Sequence, residues 1–229
     1  MTSPLIVALD LDLDSALSLT KNLNPEDCQL KIGHQLFTSA GPDSIKVFQD
    51  LGFKVFLDLK FHDIPNTVFS AVSSAIDLGV WMLNIHASGG SEMIQAAVLA
   101  KEESKNKKIL IIGVTILTSL NDSLLRKIGF AKKVNDTVVN LALLSQANGL
   151  DGVVCSPKEA REIKNKCGNN FLTITPGIRL IDSAGDQKRF NSPKEAILNG
   201  ADYIVVGRSI TRSSNPVKSI SEILNKINL

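Results

Sequence analysis

Asp58-Leu59-Lys60-Phe61-His62-Asp63 sets two carboxylates around one ammonium, and Ile64-Pro65-Asn66-Thr67 continues the stretch. It follows the apolar run Phe53-Lys54-Val55-Phe56-Leu57, which reads as a buried strand. Alternate residues of a strand share a face, so Phe56, Asp58 and Lys60 point one way. Val55, Leu57 and Leu59 point the other way and can pack against helices. A carboxylate and an ammonium therefore emerge side by side at the carboxyl end of a core strand. Asp63 follows in the turn, and Pro65 suits the first turn of a helix. Burying such a group of charges is unfavourable unless it faces a solvated or ligand-filled cavity. In such a cavity the ammonium offers fixed positive charge and a transferable proton. The plainer reading makes Asp58 and Lys60 a structural ion pair and Asp63 a helix N-cap. The rest of the chain weighs against it.

The elements that must position these residues alternate along the chain. Besides the central stretch, residues 5–10, 29–33, 81–87, 109–115, 152–156, 171–175 and 203–208 read as short apolar strands. Helical spacing occupies the intervals, with Asp14 as the cap of the first helix and Gly41-Pro42 as a break in the second. A polar segment at 118–133 carries a short helix of its own, and 179–191 is a second polar loop. Strands alternating with helices imply a parallel sheet with crossovers. Eight of them in 229 residues point to an α/β fold of the closed (β/α)8 barrel type, a TIM barrel, as one domain over residues 1–229. An open doubly wound sheet would carry GxGxxG after its first strand, and this chain has none there.

In such a barrel the active site lies at the carboxyl ends of the strands. Those ends carry Asp10, Lys31, Asp58 with Lys60, His86, Thr118, Arg179 and Arg208. Most charges near strands gather on one rim, whereas purely structural pairs would fall at both ends. Gly207-Arg208-Ser209 follows the eighth strand, a frequent place for a phosphate. Arg208 supplies a planar, permanently charged donor set, and Gly177 and Gly207 let backbone amides approach closely.

Composition narrows the function class. The net charge is +2, from 25 basic and 23 acidic residues, which gives no electrostatic case for nucleic acid or membrane binding. Cys28, Cys155 and Cys167 lack CxxC spacing and read as buried or idle thiols in a reducing cytosol. His34, His62 and His86 form no ligand pattern, so no metal site is expected. His62 reads as a packing or interface residue, and His86 as support for the site. No basic region precedes the first apolar run, and no run is long enough to cross a bilayer.

These residues resemble the orotidine 5'-phosphate decarboxylase family over nearly the whole chain. Ala8-Leu9-Asp10 and Lys31-Ile32-Gly33 begin the likeness, and residues 58–67 look like the family's DxKxxDIPxT signature. Leu117-Thr118-Ser119, Thr175-Pro176-Gly177-Ile178-Arg179, Asp186-Gln187-Lys188-Arg189 and Val205-Val206-Gly207-Arg208-Ser209-Ile210 continue it. His34-Gln35 departs from the family's Met-Glu. The resemblance implies cytoplasmic decarboxylation of orotidine 5'-monophosphate to uridine 5'-monophosphate, the last step of pyrimidine synthesis, with no metal and no organic cofactor. It implies catalytic roles for Lys60, Asp58, Asp63 and Lys31. It also implies substrate contacts from Asp10, Lys31, Asp58, Ile64, Thr67, Thr118, Arg179, Gln187, Gly207 and Arg208. A homodimer is implied in which Asp63, Ile64 and Thr67 reach the neighbouring site, and 179–191 is the implied lid. Two rivals stand beside this reading. One is a magnesium-dependent decarboxylase of the 3-keto-gulonate 6-phosphate type, where the same acids hold Mg²⁺. The other is a silent barrel that only binds a nucleotide. The Ile64-Pro65-Asn66-Thr67 continuation and Gln187 favour the nucleotide enzyme over the first. The complete Lys31, Asp58, Lys60 and Asp63 set favours catalysis over the second.

Overall fold

Short runs rich in Val, Ile and Leu form the strands, each too short to do more than cross the sheet once. The structure is a computed structural model and describes residues 3–180 and 192–227. The strands are β1 (Leu5–Ala8), β2 (Gln29–Gly33), β3 (Val55–Phe61), β4 (Met82–His86), β5 (Leu110–Val114), β6 (Gly152–Val154), β7 (Leu172–Thr175) and β8 (Tyr203–Val206). They pair in parallel in chain order, and β8 closes on β1 through Leu5–Ile204, Ile6–Val205 and Val7–Val206. The expected (β/α)8 barrel is the fold observed.

Helices occupy the crossovers: α1 (Leu13–Thr20), α2 (His34–Ala40), α3 (Asp43–Asp50), α4 (Pro65–Asp77), α5 (Gly90–Glu103) and α6 (Asp122–Lys127). After these come α7 (Val134–Ala147), α8 (Pro157–Cys167), α9 (Pro193–Leu198), α10 (Arg208–Thr211) and α11 (Pro216–Ile227). Their starts follow capping chemistry. Ser192 and Glu195 satisfy each other's backbone N–H groups at the head of α9, with Pro193 in its first turn. At the first helix the cap is Asp12, not Asp14. Asp12 Oδ1 accepts the Ser15 backbone N–H at 2.9 Å, and Asp14 falls inside the first turn. None of the helices among the described residues is long and apolar enough to cross a membrane.

The core has two shells. Outward strand residues such as Leu30, Ile32, Val55, Leu57, Leu83 and Ile85 pack beneath the helices. Inward residues Ile6, Ala8, Phe56, Met82, Ile112, Ile174 and Val205 fill the barrel. Burying one such Leu, Ile or Phe side chain contributes about 1.5–3 kcal/mol. This apolar plug occupies the lower barrel, so polar groups at the carboxyl ends stand on a dry floor.

The remaining charges near the strands lie at the opposite, amino ends. Asp151 precedes β6 and receives Lys101 of α5 on both oxygens at 2.8 Å. Asp202 precedes β8 and receives Lys164 of α8 at 2.6 Å. Each acid also accepts a strand amide, from Ile111 or Thr173, at 2.7 Å. These are fasteners between helix and sheet at the amino ends. Long-range pairing of this kind has no local signature in a sequence.

Candidate active site

Lys60 is the one non-glycine residue with a left-handed backbone among the described residues, at φ 53°. Such a conformation costs on the order of 1–3 kcal/mol and persists only where its surroundings impose it. The surroundings here are β4. Leu57 pairs with Leu83 and Phe61 with Ile85, so β3 sets Asp58, Leu59 and Lys60 against Asn84 alone. The bulge re-aims side chains at the strand's end. Since the excess is even, inward alternation survives, and Phe56, Asp58 and Lys60 all face the same cavity.

Asp58 is the hub of what they face. Its Oδ1 accepts Lys60 Nζ at 2.6 Å and Asn84 Nδ2 at 2.7 Å. Its Oδ2 lies 3.0 Å from Lys31 Nζ, which in turn reaches Asp10 Oδ1 at 3.4 Å. Burial pushes the Asp58 carboxyl up, but the Lys31 and Lys60 ammoniums, with hydrogen bonds from Lys60 and Asn84, outweigh it. The net displacement is downward, so Asp58 is an anion at neutral pH. Gly33 leaves room for this chain: a Cβ there would lie 3.1 Å from Lys31 Nζ.

The cavity above has a volume of about 370 Å³, the size range of small-ligand sites. Phe56, Val114, Val154, Ile174 and Val205 give it an apolar floor. Lys31, Asp58 and Lys60 form one polar wall, with Asp10 beside them. Thr118, Arg179, Gly207 and Arg208 complete the mouth. Arg208 is not on β8 as the sequence suggested. Gly207 ends the strand with φ −107° and ψ −103°, and Arg208 opens the one-turn α10. Gly177, at φ +80°, holds the left-handed turn after β7. Anionic, cationic and apolar surfaces so arranged suit a small ligand with both apolar and charged parts.

A sequence model of the Orotidine 5'-phosphate decarboxylase / HUMPS family matches residues 3–223. This chain belongs to that family. The orotidine 5'-phosphate decarboxylase of Sodalis glossinidius (strain morsitans) is 51% identical over 227 residues, 98% of this chain and 90% of its own. That of Teredinibacter turnerae (strain ATCC 39867 / T7901) is 50% identical over 233 residues, 99% of each chain. The crystal structure of orotidine 5'-phosphate decarboxylase from Lactobacillus acidophilus matches with a TM-score of 0.88 at 36% identity, covering 99% of this chain and 100% of that one.

Within this decarboxylase-family barrel the residues expected from sequence divide into three groups. Asp10, Lys31, Asp58, Lys60, Thr118, Arg179, Gly207 and Arg208 line one cavity. Asp63, Ile64 and Thr67 do not line it and lie exposed beyond β3, Ile64 at 67%. Asp63 is not the cap of α4 either: its Oδ1 accepts the N–H of adjacent Ile64 at 2.7 Å, and Ile64 is the N-cap residue. Gln187 and most of the expected lid, 181–191, lie outside the described residues. His86 stacks near His62, ring centroids 5.1 Å apart, rather than facing the cavity. Asn84 was missed. Its only sequence signal is a lone amide in Met82-Leu83-Asn84-Ile85, on the inward register with Met82. Among the described residues no three His, Cys, Asp or Glu side chains converge on one point.

Proposed function

We propose that this barrel decarboxylates orotidine 5'-monophosphate to uridine 5'-monophosphate, the last step of pyrimidine synthesis, with Lys60 as proton donor and no cofactor. The observation that carries the residue assignment is the Lys31–Asp58–Lys60 chain, held at 3.0 Å and 2.6 Å along the cavity wall. In the reaction the bond from C6 to the carboxylate breaks and CO₂ leaves. The electron pair stays on C6 and takes a proton from Lys60 Nζ; the neutral amine is then reprotonated by water. Asp58, with both oxygens engaged, fixes the two ammoniums where negative charge develops, so no solvent need rearrange at that moment.

Magnitude limits what Lys60 does alone. Two unit charges about 4 Å apart at an effective dielectric near 20 interact by roughly 4 kcal/mol. That is about a thousandfold in rate. The remainder must come from binding energy directed to orientation and closure. Arg208, the Gly207 amide and Gln187 hold the phosphate in this reading, and residues 179–191 close over it, ordered by Arg179. Asp10 and Lys31 address the ribose hydroxyls, and Thr118 addresses the base.

The enzyme works as a homodimer in this reading, each copy one barrel domain over residues 1–229. Asp63, Ile64 and Thr67 serve the neighbour's site, and Asp63 extends the alternating charge array from outside. Their exposure, and the large apolar Ile64 among them, supports this. Three buried cysteines suit a reducing compartment, and we place the enzyme in the cytoplasm. The test is the loss of orotidine absorbance in the presence of EDTA. Undiminished turnover is the expected result. Turnover abolished by EDTA and restored by Mg²⁺ would favour the sugar-phosphate rival, and nucleotide binding without turnover the silent barrel.

A further inference from the structure

We propose that Asn84 is a positioning residue that sets the proton donor against the acid. The inference rests on the decarboxylase reading above. Asn84 is completely buried, opposite the β3 bulge. There the ladder between β3 and β4 is interrupted at Lys60. Asn84 Oδ1 accepts the Lys60 N–H at 2.8 Å. Its Nδ2 donates to Asp58 Oδ1 at 2.7 Å, the same oxygen that receives Lys60 Nζ. One rigid planar amide thus fixes the left-handed backbone of Lys60 with one end and the Asp58 carboxylate with the other. The amide has only one workable orientation, because its acceptor must face an N–H and its donor a carboxylate. Neither a hydrocarbon nor a carboxylate can do both jobs.

A neutral carboxylic acid can. Its carbonyl would accept the Lys60 N–H, and its O–H would donate to Asp58. The charged groups around this position are Asp58 and Lys60 directly, Lys31 through Asp58, and His86 two residues on, beside His62. In Asn84→Asp burial and the adjoining Asp58 anion raise the introduced carboxyl's affinity for a proton, and they outweigh the lowering by Lys60 and Lys31, both already engaged by Asp58. The pair would take up one shared proton as the pH falls.

Asn84→Ala and Asn84→Asp are compared with the unsubstituted enzyme for kcat and for affinity toward uridine 5'-monophosphate. Asn84→Ala should lose about 100-fold in kcat, the scale of a catalytic group misplaced by an ångström, with nucleotide affinity within about threefold. For Asn84→Asp, the ratio of its kcat to that of the unsubstituted enzyme should rise as pH falls from about 8 to about 5, as one proton binds. A near-normal kcat in Asn84→Ala overturns the proposal, as does a parallel loss of kcat and nucleotide affinity. A ratio for Asn84→Asp that does not change with pH overturns it too, and this arm decides if Asn84→Ala does not fold. An unsubstituted enzyme that fails to consume orotidine 5'-monophosphate would instead refute the decarboxylase reading.

Discussion

Burial alone would drive the Asp58 carboxyl toward its neutral form, and two lysines and an asparagine hold it ionised. Its folded pKa lies below the unfolded value, so the stability it contributes is present above about pH 4. That contribution is lost as the pH falls through the folded value. Asp58→Asn should therefore destabilise the barrel at pH 7 by about 1–3 kcal/mol, since half-buried Lys60 loses its carboxylate and buried Lys31 keeps only Asp10. The gap from the unsubstituted protein should narrow in denaturant melts below about pH 4. A gap independent of pH would contradict the ion-pair account. Lys60 is the more exposed partner, its side chain at 26%, and stability depends on it less. Lys60→Ala should leave binding of uridine 5'-monophosphate measurable and reduce turnover by at least about a thousandfold, the value of one well-placed charge. Turnover near normal would remove Lys60 from the chemistry. At this scale the sequence showed residue types well and backbone poorly. Alternation on β3 was legible because hydrophobic and charged residues trade places. The left-handed turn at Lys60 was not, because lysine carries no mark of it; the cause lies across the sheet in Asn84.

Elements were legible where their chemistry is local. Pro65, Pro157, Pro193 and Pro216 each stand at a helix start in the fold as in the sequence. Gly41-Pro42 separates α2 from α3 as the dipeptide suggested. The cap lies at Asp12, two residues before the Asp14 expected, because both acids stand at the start of the same helix and only geometry chooses between them. Contacts between elements were not legible, and close packing between strands is the plainest case. Gly152 lies so near β7 that a Cβ there would collide with the carbonyl oxygen of Leu172. Backbone cannot yield as a flexible side chain can. Gly152→Ala should destabilise the fold by about 1–3 kcal/mol through overpacking, read as a lowered denaturation midpoint. An unchanged midpoint would mean that β6 and β7 are free to separate.

For the whole molecule, the barrel brings strand ends from distant parts of the chain to one mouth, and eight alternating apolar runs were enough to foresee it. One group of expected site residues stays outside that mouth. Asp63, Ile64 and Thr67 are exposed in a single chain, and the shared-site reading gives them a second cavity to enter. Lys60→Ala and Asp63→Ala proteins, each inactive alone, should recover activity when mixed under subunit exchange. A mixed dimer holds one site with both residues intact, so recovery approaches about a quarter of the normal rate per chain if exchange is random. Proven exchange without recovery would mean that each copy works alone.

The most direct measurement is a crystal structure with uridine 5'-monophosphate bound. The account predicts Lys60 Nζ within about 3.5 Å of the pyrimidine C6, still paired with Asp58, and Arg208 on the phosphate. A lysine turned away from the ring, with its nitrogen packed under a helix, would contradict it.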